Sequence, residues 1–378
     1  MRSKPSSSLL TLEDMILPTT LTVKEVVEDM IKQSHCVNDE SDINNIGAAP
    51  IHMGFNSRVA RVQMYVQNGN VIKAVLKQPI SQYSKDLYKP EENSFTKNLC
   101  FFHNQEIFVY RNIAPKMDFI RFPKMLSAKE SDVRTGQHGY ILLEDLGDFG
   151  KTNKVIEGMD FQKCANVVTS LAQFHAYSHV LNRKENIFEK MKCAVPSIDL
   201  IPFDLFIRLV SFDRSFFQCE EVIRKWMKDY KSMPQNVHLK YGYPAVLAHG
   251  DLWTDNILLH GDKVVSILDW QCSHISTGLN DLAKFLFVSA RSDVFRDHIH
   301  DLFIIYHNTF HQTLTKNGCS FSFTLDQQVE MFKYQAPFEF LFCILIFPSL
   351  GERATKKEKE ELKERLKNAY NYIRQRTE

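Results

Sequence analysis

Along the first third of the chain apolar and polar positions alternate. Along the rest they recur every three or four residues. The segments "SRVARVQMYV" (57–66) and "VIKAVLKQP" (71–79) have period two, which predicts strands with one buried face. Asn68-Gly69 between them predicts a tight hairpin, since both residues tolerate positive φ. "GYILLEDLGD" (139–148) predicts a further strand that ends in acidic residues and glycine. The helical period appears in "LTVKEVVEDMIKQ" (21–33), over Phe95–Ile113, and in "FQKCANVVTSLAQFHAYSHVL" (161–181). In the tail "KKEKEELKERLKNAYNYIRQR" one stripe carries Leu362, Leu366, Ala369, Tyr370 and Ile373. It predicts a docked surface helix, too short for a coiled coil, with Glu361 and Arg365 in the stabilising order. Residues 1–20 are rich in Ser, Pro and Thr and are expected to be poorly ordered. "SHCVNDESDINNIGAAP" (34–50) is polar and predicts a loop. There is no internal repeat. The pattern gives an α+β chain, a strand-rich first third followed by a helical remainder.

Composition narrows the class. At 378 residues the chain is long enough for two or three domains or one two-lobed unit with a full core. A formal charge of +1 gives no electrostatic case for nucleic acid or an anionic membrane surface as main partner. The 28 phenylalanines favour an aromatic-rich core over a lipophilic cavity. None of the eight cysteines forms a C-x-x-C pair, which speaks against structural zinc or a redox motif. Several sit in apolar runs such as "FEFLFCILIF", where a free buried thiol is ordinary. There is no N-x-[ST] sequon, and "MRSKPSSSLLTLEDM" lacks the pattern of a secretory signal. A reducing cytoplasmic setting is expected. The longest apolar run, Phe338–Pro348, is far shorter than the ~20 residues of a membrane span.

The chemistry concentrates in "VLAHGDLWTDNILLHGDKVVSILDWQ" (246–271). Two aliphatic strands flank a His-Gly-Asp turn and so form a hairpin. Asn256 opens its first strand and Asp269 ends its second, so pairing brings the two together, with Asp251 in the loop just before. An amide oxygen and a carboxylate suit Mg²⁺ when phosphates supply further ligands. The second carboxylate, Asp251, is then placed to take a proton from a substrate hydroxyl. An aspartate base with an asparagine and an aspartate on metal is the arrangement of phosphoryl transfer. Taken singly, each residue is equally a turn cap. A hydrolase with His249 and Asp251 as metal ligands needs further ligands at short spacing, and the sequence offers none nearby. "DHIHD" (297–301) lies in a helical pattern that points His298 and His300 about 200° apart, which predicts a solvated face.

A second group supports the same chemistry. On the 95–113 helix the apolar stripe runs Phe95, Leu99, Phe102, Tyr110 and Ile113, and Glu106 falls on it. An inward carboxylate needs a partner. The preceding strand offers Lys77, or Lys73 four residues earlier on the same face. A strand lysine paired to a helix glutamate holds nucleotide phosphates in kinases; the alternative is a buried structural ion pair.

With these residues in view, "HNQEIFVY", "ILLEDL", "AHGDLWTDNIL", "ILDWQ" and "NDLAKFL" resemble the ecdysteroid kinase-like (CHK kinase-like) family, within the choline and aminoglycoside kinase superfamily. "LTVKEVVEDM", "GFNSRVARV" and "YQAPFEFLFCILIFP" extend the resemblance over roughly residues 20–375. It implies a protein-kinase-like fold with ATP and Mg²⁺. A nucleotide-binding N-lobe spans 21–146 and a mainly helical C-lobe 147–378, carrying the catalytic loop, the metal site and the acceptor site. It implies Lys77 and Glu106 as the phosphate-binding pair, and Glu144, Asp145 and Leu146 as the hinge facing adenine. It implies Asp251 as catalytic base, Asn256 and Asp269 as Mg²⁺ ligands, His249 as brace of the catalytic loop and Asp281 as its support. "IGAAPIHMGFNSR" contains Gly47 and Gly54 without a full glycine-rich motif, and the phosphates are expected near Gly54–Ser57.

No D-F-G or A-P-E follows Asp269, and Asp281 comes within a dozen residues, leaving no room for an activation segment. A small-molecule hydroxyl is therefore the expected acceptor, lipophilic and steroid-like by the family's name. No sequence feature points to a protein partner. Trp253 and Trp270 either wall the acceptor pocket or wedge the loop against the core. The rival readings are an inactive pseudokinase and a ligand-binding module of the same fold.

Overall fold

The period-two segments fold as strands and the three-to-four-period segments as helices. In the computed structural model, which describes residues 9–34, 36–51, 57–67, 69–79, 94–132, 134–191, 204–230 and 236–375, the chain divides into two compact units, Met1–Asp148 and Phe149–Glu378. The mixed α+β class expected from the sequence is found.

The first unit runs β1 (Leu9–Leu10), α1 (Val23–Ser34), β2 (Ile43–Pro50), β3 (Arg58–Val66), β4 (Val71–Gln78), α2 (Ser94–Asn112), β5 (Met125–Lys129) and β6 (Tyr140–Glu144). The strands form one antiparallel sheet in the order β1-β2-β3-β4-β6-β5. Strict alternation sets its faces. Ala60, Val62 and Met64 of β3 and Ala74 and Leu76 of β4 are buried with Val23, Val26, Val27 and Met30 of α1. Lys73, Val75 and Lys77 alternate with the buried residues of β4 and so share its other face. Asn68 lies outside the described residues; Gly69 beside it has φ 82, as a tight turn requires.

Two expectations fail here. Residues 43–50 are a strand, not a loop, pairing along β3 from Ile43 opposite Val66 to Pro50 opposite Ala60. Asn, Gly, Ala and Pro disfavour strands in isolation, and ladder pairing overrides that preference. Among the described residues of 1–20, Ile16 is buried, and the Thr20 amide donates to Gln78 Oε1 at 2.9 Å.

The second unit comprises α3 (Phe161–Glu185), α4 (Leu205–Phe212), α5 (Glu220–Asp229), α6 (Val237–Tyr241), β7 (Val246–Ala248), β8 (Ile257–His260), β9 (Lys263–Ile267), β10 (His274–Ser276), α7 (Leu279–Ser289), α8 (Ser292–Lys316), α9 (Leu325–Gly351) and α10 (Lys356–Arg374). Helix α7 is buried along its whole length, against α9. The apolar run expected to stop at eleven residues is part of α9, a helix long and apolar enough to cross a membrane by length and composition. Its buried residues include Gln328, Gln335 and Glu339. Gln335 accepts from Thr277 Oγ1 at 2.6 Å and donates to Ser276 Oγ at 3.3 Å, serving the turn into α7. These are the contacts of a core helix. Helix α10 buries Leu362, Leu366, Ala369 and Ile373, as the stripe predicted. Arg365, expected in a surface pair, is instead buried: it holds Glu361 at 3.0 Å and donates to the carbonyls of Val155 and Val288. The 297–301 cluster lies on α8 with both histidines exposed, and no group of metal-holding side chains gathers among the described residues.

Candidate active site

In the second unit β7 pairs with β10, and the loop 249–256 leads from β7 into the β8–β9 hairpin. The chain must turn sharply after His249. Gly250 makes the turn at φ 80, where a Cβ would lie 2.2 Å from the Cys272 carbonyl oxygen, so only glycine fits. Asp281, near the start of α7, fixes the turn: its carboxylate accepts from the amides of His249 at 2.5 Å and Gly250 at 2.7 Å and from His175 Nε2 at 3.1 Å. Burial works to raise this carboxyl; the His175 hydrogen bond and the surrounding histidines outweigh it and hold it below the usual range.

His249 is fully buried between the loop and the hairpin. Its Nδ1 accepts the Asp251 amide at 3.1 Å, so Nε2 carries the ring proton and donates to the Leu268 carbonyl at 2.8 Å. Trp270 packs on the His249 ring, tilted by 59° with 4.6 Å between centroids, and gives its Nε1–H to the Ile267 carbonyl, a wedge rather than a pocket wall. Trp253 has its Nε1 buried with no hydrogen-bond partner among the described residues. Both nitrogens of His249 are committed, which rules out a metal site built on His249 and Asp251.

Ile257 faces Ile267 across the hairpin, and the Leu268 amide donates to the Asn256 carbonyl at 2.8 Å. Asn256 and Asp269 therefore stand at the same end of the hairpin. Asn256 Nδ2 donates to the Asp251 carbonyl at 2.8 Å and lies 3.4 Å from Asp251 Oδ2, which leaves Oδ1 as the end of the amide suited to a cation. Asp269 has φ 64 and ψ 63, a left-handed conformation uncommon outside glycine and typical of residues held for function. One carboxylate and one amide oxygen fit Mg²⁺ that keeps phosphate oxygens and waters as its other ligands; a closed three-residue cage is not needed.

In the first unit Lys77 Nζ lies 2.8 Å from Glu106 Oε2, with the two side chains 13% and 2% exposed. Lys73 turns instead to Asp148 at 2.5 Å, at the surface. Ser57 is buried. Gly54 lies outside the described residues, and Gly47 sits inside β2 between Leu9 and Gln63, in a ladder rather than a loop. The amides of Glu144 and Asp145 donate to the carbonyls of Lys124 and Lys73, so these two N–H groups are spent within the sheet. The Glu144 carboxylate accepts from Arg121 at 2.6 Å, the Asp145 carboxylate accepts from Arg61, and Leu146 is buried.

Sequence reasoning missed Lys284 and Glu339. Lys284 Nζ lies 3.0 Å from Asp251 Oδ1 and 3.5 Å from Glu339 Oε2. The sign of both was a lone charge inside an apolar helical run.

The family model described as the ecdysteroid kinase-like family matches residues 53–319, more than half of the chain. No curated protein sequence matches it. Among solved structures it is similar to a choline kinase from Cryptosporidium parvum (13% identity, 92% of this chain and 95% of that one, TM-score 0.45). It is similar also to an ethanolamine kinase from Plasmodium vivax (13%, 95% and 93%, 0.46) and a macrolide 2'-phosphotransferase from Brachybacterium faecium (16%, 90% and 98%, 0.43). The motif residues quoted for the resemblance between positions 53 and 319 fall within the matched span, and the chain belongs to the ecdysteroid kinase-like family.

Proposed function

We propose that the chain is an ATP- and Mg²⁺-dependent kinase that transfers the γ-phosphate to the hydroxyl of a mainly apolar, steroid-like alcohol. The observation that carries this is the loop 249–256: Asp251, Asn256 and Asp269 come to one end of a hairpin whose approach is fixed by Asp281. Lys77, held by Glu106, binds the nucleotide phosphates. Asn256 and Asp269 would hold Mg²⁺, which would neutralise phosphate charge. Asp251 takes the acceptor's hydroxyl proton as that oxygen bonds to the γ-phosphorus and the bond to the β-phosphate oxygen breaks. Glu144, Asp145 and Leu146 meet the adenine through carbonyls and side chains, given that the first two amides are occupied.

Three features support an apolar acceptor. Only nine residues separate Asp269 from the start of α7 at Leu279, leaving no platform for a peptide. Net charge near zero does not suit a polycation. Phe338 and Phe342 of α9 are only partly buried. Cys36, Cys164, Cys219, Cys319 and Cys343 are free thiols, which suits a reducing cytoplasm. The test is transfer from ATP labelled at the γ-phosphate to hydroxysteroids, other lipophilic alcohols, choline, aminoglycosides and a generic protein. Labelled lipophilic alcohol is expected. Transfer to choline, an aminoglycoside or protein, with none to any lipophilic alcohol, would sink the acceptor class. No Mg²⁺-dependent ATP binding by calorimetry would sink the kinase reading.

A further inference from the structure

Helix α7 is buried at every position and yet contains a lysine. The Lys284 ammonium touches four groups: Asp251 Oδ1 at 3.0 Å, the Gly250 carbonyl at 3.3 Å, Glu339 Oε2 of α9 at 3.5 Å, and the ring of Phe342, also of α9, at 3.6 Å from its centroid. Burial works against the charge; the Asp251 carboxylate leads the groups that offset it, and Lys284 stays an ammonium. Stability alone gives little reason for this arrangement, since a buried ion pair is commonly matched or bettered by apolar residues of the same volume. Among the described residues of this unit the other buried lysine or arginine is Arg365, which holds Glu361 and backbone carbonyls far in sequence from the loop. Lys284 holds two groups of the catalytic loop itself.

We propose that Lys284 is a positioning residue for phosphoryl transfer: it holds Asp251 by Oδ1 and the loop by the Gly250 carbonyl, so that Oδ2 takes the acceptor's proton, while Glu339 anchors the ammonium from α9. This rests on the reading of Asp251 as the proton-accepting group. In the step the acceptor O–H bond breaks, its proton passes to Asp251 Oδ2, and Lys284 keeps its three protons throughout. Asn256 Nδ2 approaches the same Oδ2 only at 3.4 Å, so that oxygen is the less committed of the two.

The experiment uses the full chain and the variants Lys284→Met, Lys284→Gln, Lys284→Arg and Asp251→Asn. Each is assayed for transfer to the best alcohol of the panel and for slow hydrolysis of ATP with water as acceptor. Each is also titrated with Mg·ATP by calorimetry. Lys284→Met is expected to lower kcat ~30–1000-fold while the Kd for Mg·ATP stays within ~3-fold, the split expected when an interaction acts in the transition state alone. Lys284→Arg is expected to recover at least ~10-fold of that loss by restoring a cation. Should Lys284→Met not fold, Lys284→Gln, which keeps volume and a donor but no charge, decides on the same scale. A folded Met or Gln variant with wild-type kcat, beside an inactive Asp251→Asn, overturns this proposal alone. A wild-type chain that turns over neither the alcohols nor water overturns the functional reading and the role of Lys284 with it.

Discussion

Asp281 accepts hydrogen bonds from the amides of His249 and Gly250 and from His175 Nε2, with Asp281, His249 and His175 all buried. Removing a buried charged acceptor strands its donors, so Asp281→Ala is expected to cost about 3–5 kcal/mol in chemical unfolding. Asp281→Asn, which keeps one acceptor oxygen, is expected to cost less. Equal midpoints for wild type and Asp281→Ala would show that the turn does not depend on this carboxylate. A second prediction concerns the lysines of β4. Lys77→Ala should weaken Mg·ATP binding or turnover more than Lys73→Ala, and Glu106→Gln should act in the same direction as Lys77→Ala, because each leaves the other's charge buried. The reverse order would assign the phosphates to Lys73. The Lys77–Glu106 pairing was legible only in part: the helical stripe turns Glu106 inward, while the strand's two-residue repeat puts Lys73 and Lys77 on one face and leaves the choice between them open. Lys284 was not legible. Inside "NDLAKFLFVS" one lysine leaves the apolar pattern intact, and its partners come from a loop 33 residues earlier and from another helix.

The loop between β7 and β8 depends on one backbone conformation. Gly250→Ala would put a Cβ at positive φ and against the Cys272 carbonyl oxygen. Left-handed backbone alone costs ~1–2 kcal/mol, and the clash is with backbone of the neighbouring β9–β10 connection, which cannot rotate away. Gly250→Ala is expected to lower stability by at least about 2 kcal/mol and to abolish turnover, whereas Gly261→Ala meets open space and should cost only the conformational term. Comparable thermal midpoints for the two variants would count against the close approach. At this scale the hairpins and long helices were legible from period and turn residues. Strand β2 was not, since "INNIGAAP" has the composition of a loop and is held by its neighbours β1 and β3. Nor was the burial of Arg365: helical spacing gives its i,i+4 partner and says nothing of the carbonyls of Val155 and Val288 that it meets.

Across the whole molecule buried ionisable groups make stability depend on pH in both directions. In the first unit His103 is pushed down to about 4 by burial, against the hydrogen bond its Nε2 makes to the Lys129 carbonyl. In the second, His274 is lowered, again chiefly by burial. A histidine whose folded value lies below its unfolded one is neutral in the fold and takes up a proton on unfolding, so its contribution is present above ~6.5 and is lost as pH falls towards the folded value. Glu339 acts with the opposite sign. Burial raises it to about 8; Lys284 draws it back only in part, and Asp281 and Asp251 push it further up. A carboxyl protonated in the fold and ionised when unfolded stabilises below its unfolded value of about 4.3, and that contribution is lost as pH rises to about 8. We therefore expect Glu339→Gln, which keeps the shape without the titration, to show a flatter melting temperature than wild type between pH 5 and 8. His103→Gln should be flatter on the acid side, below pH 6.5, with the two effects adding in the double variant because the residues lie in different units. The measurement is calorimetric melting of the four proteins from pH 4 to 9. Parallel curves for wild type and Glu339→Gln would mean that Glu339 does not titrate in this window, and that Lys284 is balanced by two ionised carboxylates at neutral pH rather than by Asp251 alone.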